Sequence, residues 1–262
     1  MAHGFSQGLP LKKRYGQHFL RDSGIVQRIV ETIPLTSSSS VFEIGCGDGV
    51  LTRAIMEQSI ARLWVFEIDH DWATYVRNSI KDARLTVYED NILDVDFSMF
   101  KPHQPWILLA NLPYQVTFPI LHMLQRNRDV VQEGVIMVQE EVAQKLLKTS
   151  GKGYGYPSLF FQHYFEWRKL EKIAPGAFYP PPKIYSRLLY FKSKRDITPI
   201  PHEQEFWKFI KECFHQPRRT LRNNLVQTHY DLEKVPEKIL ELRAQQMSMT
   251  DLLQLWQQLG KQ

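Results

Sequence analysis

The segment Val41-Phe42-Glu43-Ile44-Gly45-Cys46-Gly47-Asp48-Gly49-Val50-Leu51-Thr52 constrains the fold of this chain more than any other stretch. An apolar run enters a Gly-x-Gly-x-Gly turn, and a helical pattern leaves it. Glycines at a strand-to-helix turn permit positive φ and let a ligand approach the backbone closely. The dinucleotide fingerprint carries its third glycine one position later and seats a pyrophosphate on the helix N-terminus. Here Asp48 lies inside the turn. Its charge disfavours a pyrophosphate and tolerates a nucleoside with a cationic, phosphate-free tail. Cys46 reads as a small filler residue, not as a nucleophile.

The rest of the chain repeats the alternation that this segment begins. Strands are expected at 41–45, 62–67, 84–89, 106–110, 133–139 and 186–192, with helical patterns between the early ones, such as Trp72, Val76 and Ile80 on one face. Strand and helix in alternation predict an α/β fold: a doubly wound, mostly parallel, Rossmann-like sheet with right-handed crossovers. Ser23 is placed to cap the first helix. Past Lys192 the character changes, and 194–201 reads as a linker to a small all-helical C-terminal domain. In that domain Phe206, Phe209, Ile210, Cys213 and Phe214 mark one helical face, and Pro217 suits the first turn of the next helix. The expected boundaries are 1–194 and 195–262, and 262 residues suffice for both parts.

A second motif ends the strand Trp106-Ile107-Leu108-Leu109-Ala110, namely Asn111-Leu112-Pro113-Tyr114. It presents an amide, a rigid turn and an aromatic face at a sheet edge, groups that suit a flat base with an exocyclic amine. The Asn111 side-chain carbonyl and the Leu112 backbone carbonyl can accept the two amine hydrogens. Pro113 fixes its own φ and biases Leu112 to an extended conformation. Tyr114 offers a stacking face to a base taken out of its stack. Glu67 ends the strand after the glycine turn, about 20 residues on, where an acidic side chain grips ribose hydroxyls in such sheets. With Gly45 and Gly47 opening the backbone, the joint reading is S-adenosylmethionine at the carboxyl ends of a parallel sheet, in a methyltransferase domain spanning 1–194.

Three further segments bear on function. Residues 12–20 precede the first helix and read as a lid over the cofactor, with His18 as a hydrogen-bonding contact. Ala177–Lys183 reads as a stiff polyproline-like stretch, in which Phe178 is either a linker residue or the second wall for a flipped base. In Phe214–Leu225, Arg218 and Arg222 fall one helical turn apart, with Arg219 beside them, as a solvated face or a phosphate-binding stripe. The net charge of +5 fits a polyanion partner without requiring one. The two cysteines, Cys46 and Cys213, lack metal-ligand spacing and favour a reducing compartment. No membrane span and no secretory signal is expected, which points to a cytoplasmic protein.

Taken together, these segments resemble the ribosomal RNA adenine dimethyltransferase family from about Lys12 to Leu253. They are most similar to its bacterial small-subunit (16S) branch, which doubly methylates two adjacent adenines. The resemblance is carried by Gly16-Gln17-His18-Phe19-Leu20, Glu43-Ile44-Gly45, Glu67-Ile68-Asp69, Asp90, Asn111-Leu112-Pro113-Tyr114, Pro180-Pro181-Pro182-Lys183 and Arg218–Leu225. It implies cofactor contacts at His18, Leu20, Gly45, Glu67, Asp90 and Asn111, with Asp90 on the adenine amine and Glu67 on the ribose. It also implies that Phe178 is the second stacking aromatic. Departures are Cys46 where the family has Pro, Glu89 where it has Gly, and Lys152–Ser158 in place of a basic Tyr-Gly-Arg loop.

The chemistry this implies is direct methyl transfer to the adenine amine near the 3′ end of 16S rRNA. S-adenosylhomocysteine is the product, and no metal and no strong base take part. The expected partner is a small-subunit precursor, acted on by a monomer. The alternatives are a large-subunit enzyme of the macrolide-resistance type, which carries Asn-Ile-Pro-Tyr and lacks the arginine run, and a non-catalytic RNA-binding assembly or transcription factor on the same fold.

Overall fold

A computed structural model describes residues 5–12 and 16–259. Its chain divides into two compact units, one of residues 1–143 with 166–193 and one of residues 144–165 with 194–262. The later crossing falls one residue from the expected boundary. The inclusion of 144–165 in the second unit differs from the expectation, because that stretch lies in sequence between two strands of the sheet.

The first unit is built on a seven-stranded sheet. Its strands are β4 (Ser40–Ile44), β5 (Arg62–Phe66), β6 (Leu85–Tyr88), β7 (Trp106–Asn111), β8 (Val131–Gln139), β9 (Phe165–Ile173) and β11 (Ser186–Ser193), in the spatial order β6-β5-β4-β7-β8-β11-β9. From β6 to β8 the neighbours pair in parallel, and β11 runs antiparallel to β8. The short strands β1 (Phe5–Ser6) and β2 (Leu9–Pro10) form a hairpin, while β3 (Phe19–Leu20) pairs with β10 (Phe178–Tyr179).

Strands covered on both faces read as nearly continuous apolar runs, and side chains alternate between the two faces. Val41, Leu63, Val65 and Leu109 point into one apolar cluster with Ile25 and Ile29 of α1 (Ser23–Glu31) and Leu51 and Ile55 of α2 (Val50–Met56). Phe42, Trp64, Phe66 and Trp106 face the other way, around Phe100. Trp64 and Trp106 lie 4.5 Å apart, and Phe42 meets Phe100 edge-on at 5.4 Å. Asp22, not Ser23, caps α1, its side chain accepting from Ile25 N at 3.1 Å. Strand β9 lies outside the expected strands: Glu166, Lys169 and Lys172 are exposed on this edge strand and mask its period.

In the second unit α7 (Glu203–Cys213) buries Phe206, Phe209, Ile210 and Cys213, as its spacing predicts, and Trp207 as well. The indole of Trp207 donates to the Tyr164 hydroxyl at 2.9 Å, which ties α7 to α6 (Tyr156–Tyr164) and explains why 144–165 belongs here. Helix α8 (Leu221–Leu225) starts at its cap Thr220, so Pro217, Arg218 and Arg219 lie in the preceding turn, not in a helix. No helix among the described residues is long and apolar enough to cross a membrane.

Gly134 lets β8 pass close to β7, since a Cβ there would stand 2.5 Å from the Leu108 carbonyl oxygen and 2.7 Å from the Phe191 ring. Backbone cannot yield as a flexible side chain does. Gly134→Ala is therefore expected to destabilise the fold by about 1–3 kcal/mol, read as a lower urea midpoint with an unchanged slope.

Candidate active site

Strands β4, β5, β6 and β7 run in parallel, so the residues that follow them collect along one edge of the sheet. The chain steps outward from β4 through β5 to β6, then returns to pair β7 on the other flank of β4. Open α/β sheets take ligands in the crevice outside the strand ends at such a reversal. A cavity of about 290 Å³ lies there, lined by Leu20, Gly45, Glu67, Asp90, Asn111 and Tyr114 among others. His18, Gly47, Leu112 and Pro113 line it too, so the sheet gathers nearly the whole expected set.

The glycine turn is fixed from two sides. Gly45 N donates to the Phe66 carbonyl at 2.8 Å. Gly47 has φ +51°, and a Cβ on it would come within 2.6 Å of the Phe19 ring, which packs over the turn. Glu67 is buried; one carboxylate oxygen accepts from Gly47 N at 3.2 Å and the other from Asp69 N at 2.9 Å. Burial pushes its pKa up, and those two backbone donors oppose the shift. Each carboxylate oxygen has about two acceptor sites, so Glu67 keeps capacity toward the cavity. The Cys46 thiol is pushed well up by burial, unlike the environment of a reactive thiolate.

Asp48 departs from the sequence argument. Its buried carboxylate meets Arg21 Nη1 at 2.5 Å and the Ser6 hydroxyl at 3.0 Å, so its charge is answered within the protein. Exclusion of a pyrophosphate does not follow from a bare charge at this position.

Beyond β7, the Asn111 side chain donates from Nδ2 to the His18 carbonyl at 3.2 Å. An oxygen cannot donate there, so the contact assigns the amide and leaves Oδ1 as the side-chain acceptor. Pro113 has φ −59° and ψ 123°, and among the described residues nothing donates to the Leu112 carbonyl. The Tyr114 hydroxyl meets that of Ser186 at 2.5 Å, and its ring lies 6.0 Å from that of His18 at an interplanar angle of 27°. His18 Nδ1 in turn reaches the Pro180 carbonyl at 2.7 Å.

Within the stretch expected to form a lid, Lys13, Arg14 and Tyr15 lie outside the described residues. The remainder is fastened to the site. Lys12 Nζ reaches Asp69 at 2.5 Å and Asp71 at 2.7 Å, and Gln17 donates to Asp69 at 3.0 Å. Asp90 is exposed on the cavity rim. The neighbouring Glu89 turns to His70 at 2.9 Å, and its backbone is not at positive φ, so no glycine is required there.

Phe178 is the clear exception. It is 4 % exposed, packs in the core cluster with Leu20 and Ile25, and does not line the cavity. In the β3–β10 ribbon alternate side chains face opposite ways, so Phe178 is turned in and Tyr179 out. The stretch is therefore part strand, not polyproline throughout, and Phe178 packs into the core and not into the cavity wall. Arg218 and Arg219 are exposed, whereas Arg222 is ion-paired with Glu237. The expected helical stripe of Arg218 and Arg222 does not form, because Arg218 precedes the helix.

Sequence reasoning gave no role to Glu43. It is fully buried beside the cavity and accepts from the Thr52 hydroxyl at 2.7 Å, which links the end of β4 to α2. Burial pushes its pKa up to about 8, opposed by Thr52 and reinforced by the charges of Glu67 and Asp48.

An acidic acceptor past β5, a glycine turn packed against Phe19 and an amide acceptor past β7 fit a nucleoside-cofactor methyltransferase of the α/β class. This donor set fits S-adenosylmethionine: Glu67 retains acceptor capacity beside the cavity, and Gly47 leaves no room for a side chain. The profile of the family described as ribosomal RNA adenine dimethylase matches residues 8–257, and the chain belongs to that family. It is thereby an S-adenosylmethionine-dependent rRNA methyltransferase. Among its relatives, the ribosomal RNA small subunit methyltransferase A of Chlorobium phaeobacteroides is 34 % identical over 252 residues, covering 96 % of this chain and 92 % of that one. The protein of the same name from Mycoplasma mobile is 35 % identical over 258 residues, covering 95 % and 96 %. The crystal structure of a dimethyladenosine transferase from Plasmodium falciparum has the same fold, with a TM-score of 0.78 at 22 % identity over 93 % of this chain and 98 % of that one. The 23S rRNA methyltransferase ErmE shares it as well, with a TM-score of 0.72 at 20 % identity over 93 % and 100 %.

The position of Glu43 gives a pH prediction. Its folded pKa, about 8, lies above the 4.5 of the free side chain. The stability linked to its protonated form is present below pH 4.5 and lost as the pH rises through 8. Wild type should therefore lose stability relative to Glu43→Gln across that window, in thermal melts of both proteins at a series of pH values. Parallel curves would show that Glu43 titrates normally.

Proposed function

We propose that this protein transfers methyl groups from S-adenosylmethionine to the exocyclic N6 of two adjacent adenines near the 3′ end of 16S rRNA. The products are N6,N6-dimethyladenine and S-adenosylhomocysteine, and the substrate is a precursor of the small ribosomal subunit, met by a monomer in the cytoplasm. The observation that carries this reading is the Asn111 amide, held at Nδ2 by His18 so that Oδ1 remains as an acceptor beside Tyr114. The names of the curated relatives support the small-subunit assignment. So do Leu112 and the run Arg218–Leu225, while the fold likeness to a 23S enzyme does not discriminate.

Bound S-adenosylmethionine supplies an electrophilic methyl on a sulfonium. The chain's residues position the acceptor. Asn111 Oδ1 takes one amine hydrogen and the Leu112 carbonyl the other, which draws the nitrogen lone pair out of the ring. Tyr114, its hydroxyl held by Ser186, gives the base a fixed face. Glu67 and Asp90 hold the ribose and adenine of the cofactor, with His18, Leu20, Gly45 and Gly47 around them. Positioning and preorganised acceptors lower the barrier. Water takes the proton from the methylated amine.

Two variants separate chemistry from cofactor binding. Asn111→Ala should lower single-turnover methylation of small-subunit particles by about 100-fold or more while S-adenosylmethionine affinity changes little. Glu67→Ala should do the reverse, costing roughly 1.5–3 kcal/mol of affinity by calorimetry. Near-normal turnover in the first, or unchanged affinity in the second, contradicts these roles.

Arg218, Arg219 and Arg222 are proposed RNA contacts. Because Arg222 already has a carboxylate partner, the exposed pair should contribute more. Arg218→Ala with Arg219→Ala should weaken particle binding and flatten the slope of log affinity against log salt by roughly 0.7–0.9 per lost phosphate contact. Equal affinities and parallel slopes would place the RNA surface elsewhere.

A further inference from the structure

Among the described residues five large apolar side chains are exposed, and three of them, Tyr179, Ile184 and Tyr185, fall within residues 179–185. That segment is tied to the candidate site at both ends. The Pro180 carbonyl meets His18 Nδ1 at 2.7 Å, and the Ser186 hydroxyl meets that of Tyr114 at 2.5 Å. Between these ties the Tyr185 carbonyl accepts from Glu140 N at 3.0 Å, and Ser186 is fully buried. Tyr185 thus stands 49 % exposed on a fixed backbone, not on a loose loop. Lys172 Nζ lies 4.3 Å from the centroid of its ring. Lys172 and Lys183 are both exposed, and no described carboxylate pairs with either.

An exposed aromatic with a cation on one face and a second free cation on the same segment matches what an unpaired nucleotide offers. The base brings a π-face, and its flanking phosphates bring negative charge. We infer that Tyr185, with Lys172 and Lys183, forms a stacking subsite for an RNA nucleotide next to the target adenine. The inference rests on the proposed function, since Tyr185 and Lys183 lie on the segment that is tied to His18 and Tyr114, the residues proposed to flank the base that is to be methylated. Lys172 holds one face of the ring, a base takes the other, and the two ammonium groups meet the adjoining phosphates. No strand register or base identity is required, because every base has a stacking face.

The test compares wild type with Tyr185→Ala, Tyr185→Phe and Lys172→Gln. Binding is measured to small-subunit particles and to an adenine-containing single-stranded RNA oligonucleotide, together with methylation of the particles. Tyr185→Ala should weaken binding to both RNAs by about 10-fold or more, the usual effect of losing one stacked base. Tyr185→Phe, which keeps the ring, should bind as wild type, and Lys172→Gln should flatten the salt dependence. The saturated methylation rate of Tyr185→Ala should stay within about two-fold of wild type, because positioning of the target base rests on Tyr114 and not on Tyr185. Unchanged binding in Tyr185→Ala overturns the subsite. Weakened binding to particles alone also overturns it, since that pattern means a protein partner. Failure of the functional reading is a different result: wild type leaves the particles unmethylated whatever the binding of the variants.

Discussion

Ser40, Val41 and Phe42 of β4 pair in parallel with Trp106, Ile107 and Leu108 of β7, although β5 and β6 intervene in sequence. This pairing brings the glycine turn after β4 next to the Asn-Leu-Pro-Tyr turn after β7. Its effect is visible in the spacing, for a Cβ on Gly45 would lie 3.5 Å from the Pro113 ring. The strand ends supply the rest. Glu67 follows β5 and Asp90 follows β6, so four segments remote in sequence converge without any long loop having to fold over to reach them. Rigid strand ends also hold Asn111 in place, which is what its proposed role requires, since a group that acts as charge develops gains most when it need not move.

The site is also shaped by four buried acids, and they are accommodated in three ways. An isolated buried carboxylate is costly unless paired, hydrogen-bonded or protonated. Asp48 is paired with Arg21, and Asp69 with Lys12. Glu67 is hydrogen-bonded by Gly47 N and Asp69 N. Burial raises the pKa of Glu43 to about 8, which favours its neutral form. Two of these solutions draw on cations from the N-terminal segment, so the same contacts that neutralise the acids fasten residues of that segment over the cavity. Closing the site and making its charges tolerable are one arrangement.

Much of this was legible in the sequence for a definite physical reason. Strands buried on both faces are continuous apolar runs, and β4, β5, β7 and β8 stand within two residues of their expected bounds. Motifs that follow such strands inherit their position, which is why Gly45, Glu67, Asp90 and Asn111 meet as expected. What escaped depends on partners that spacing does not reveal. Arg21 answers Asp48 from another element. Phe178 faces the core because of its pairing with Leu20, and an aromatic before three prolines carries no sign of that. Strand β9 hides behind its exposed charges, and Arg218 leaves the helix because Thr220 supplies a better cap.

The central claim is that the Asn111 edge of this sheet methylates adenines of small-subunit RNA. The most direct measurement maps N6,N6-dimethyladenine along the ribosomal RNA of cells lacking the gene, complemented with wild type or with Asn111→Ala. The account predicts that two adjacent adenines near the 3′ end of 16S rRNA lose both methyl groups, regain them with wild type and stay unmodified with the variant. Dimethylation that persists without the gene, that returns with Asn111→Ala, or that is lost from large-subunit RNA instead would contradict it.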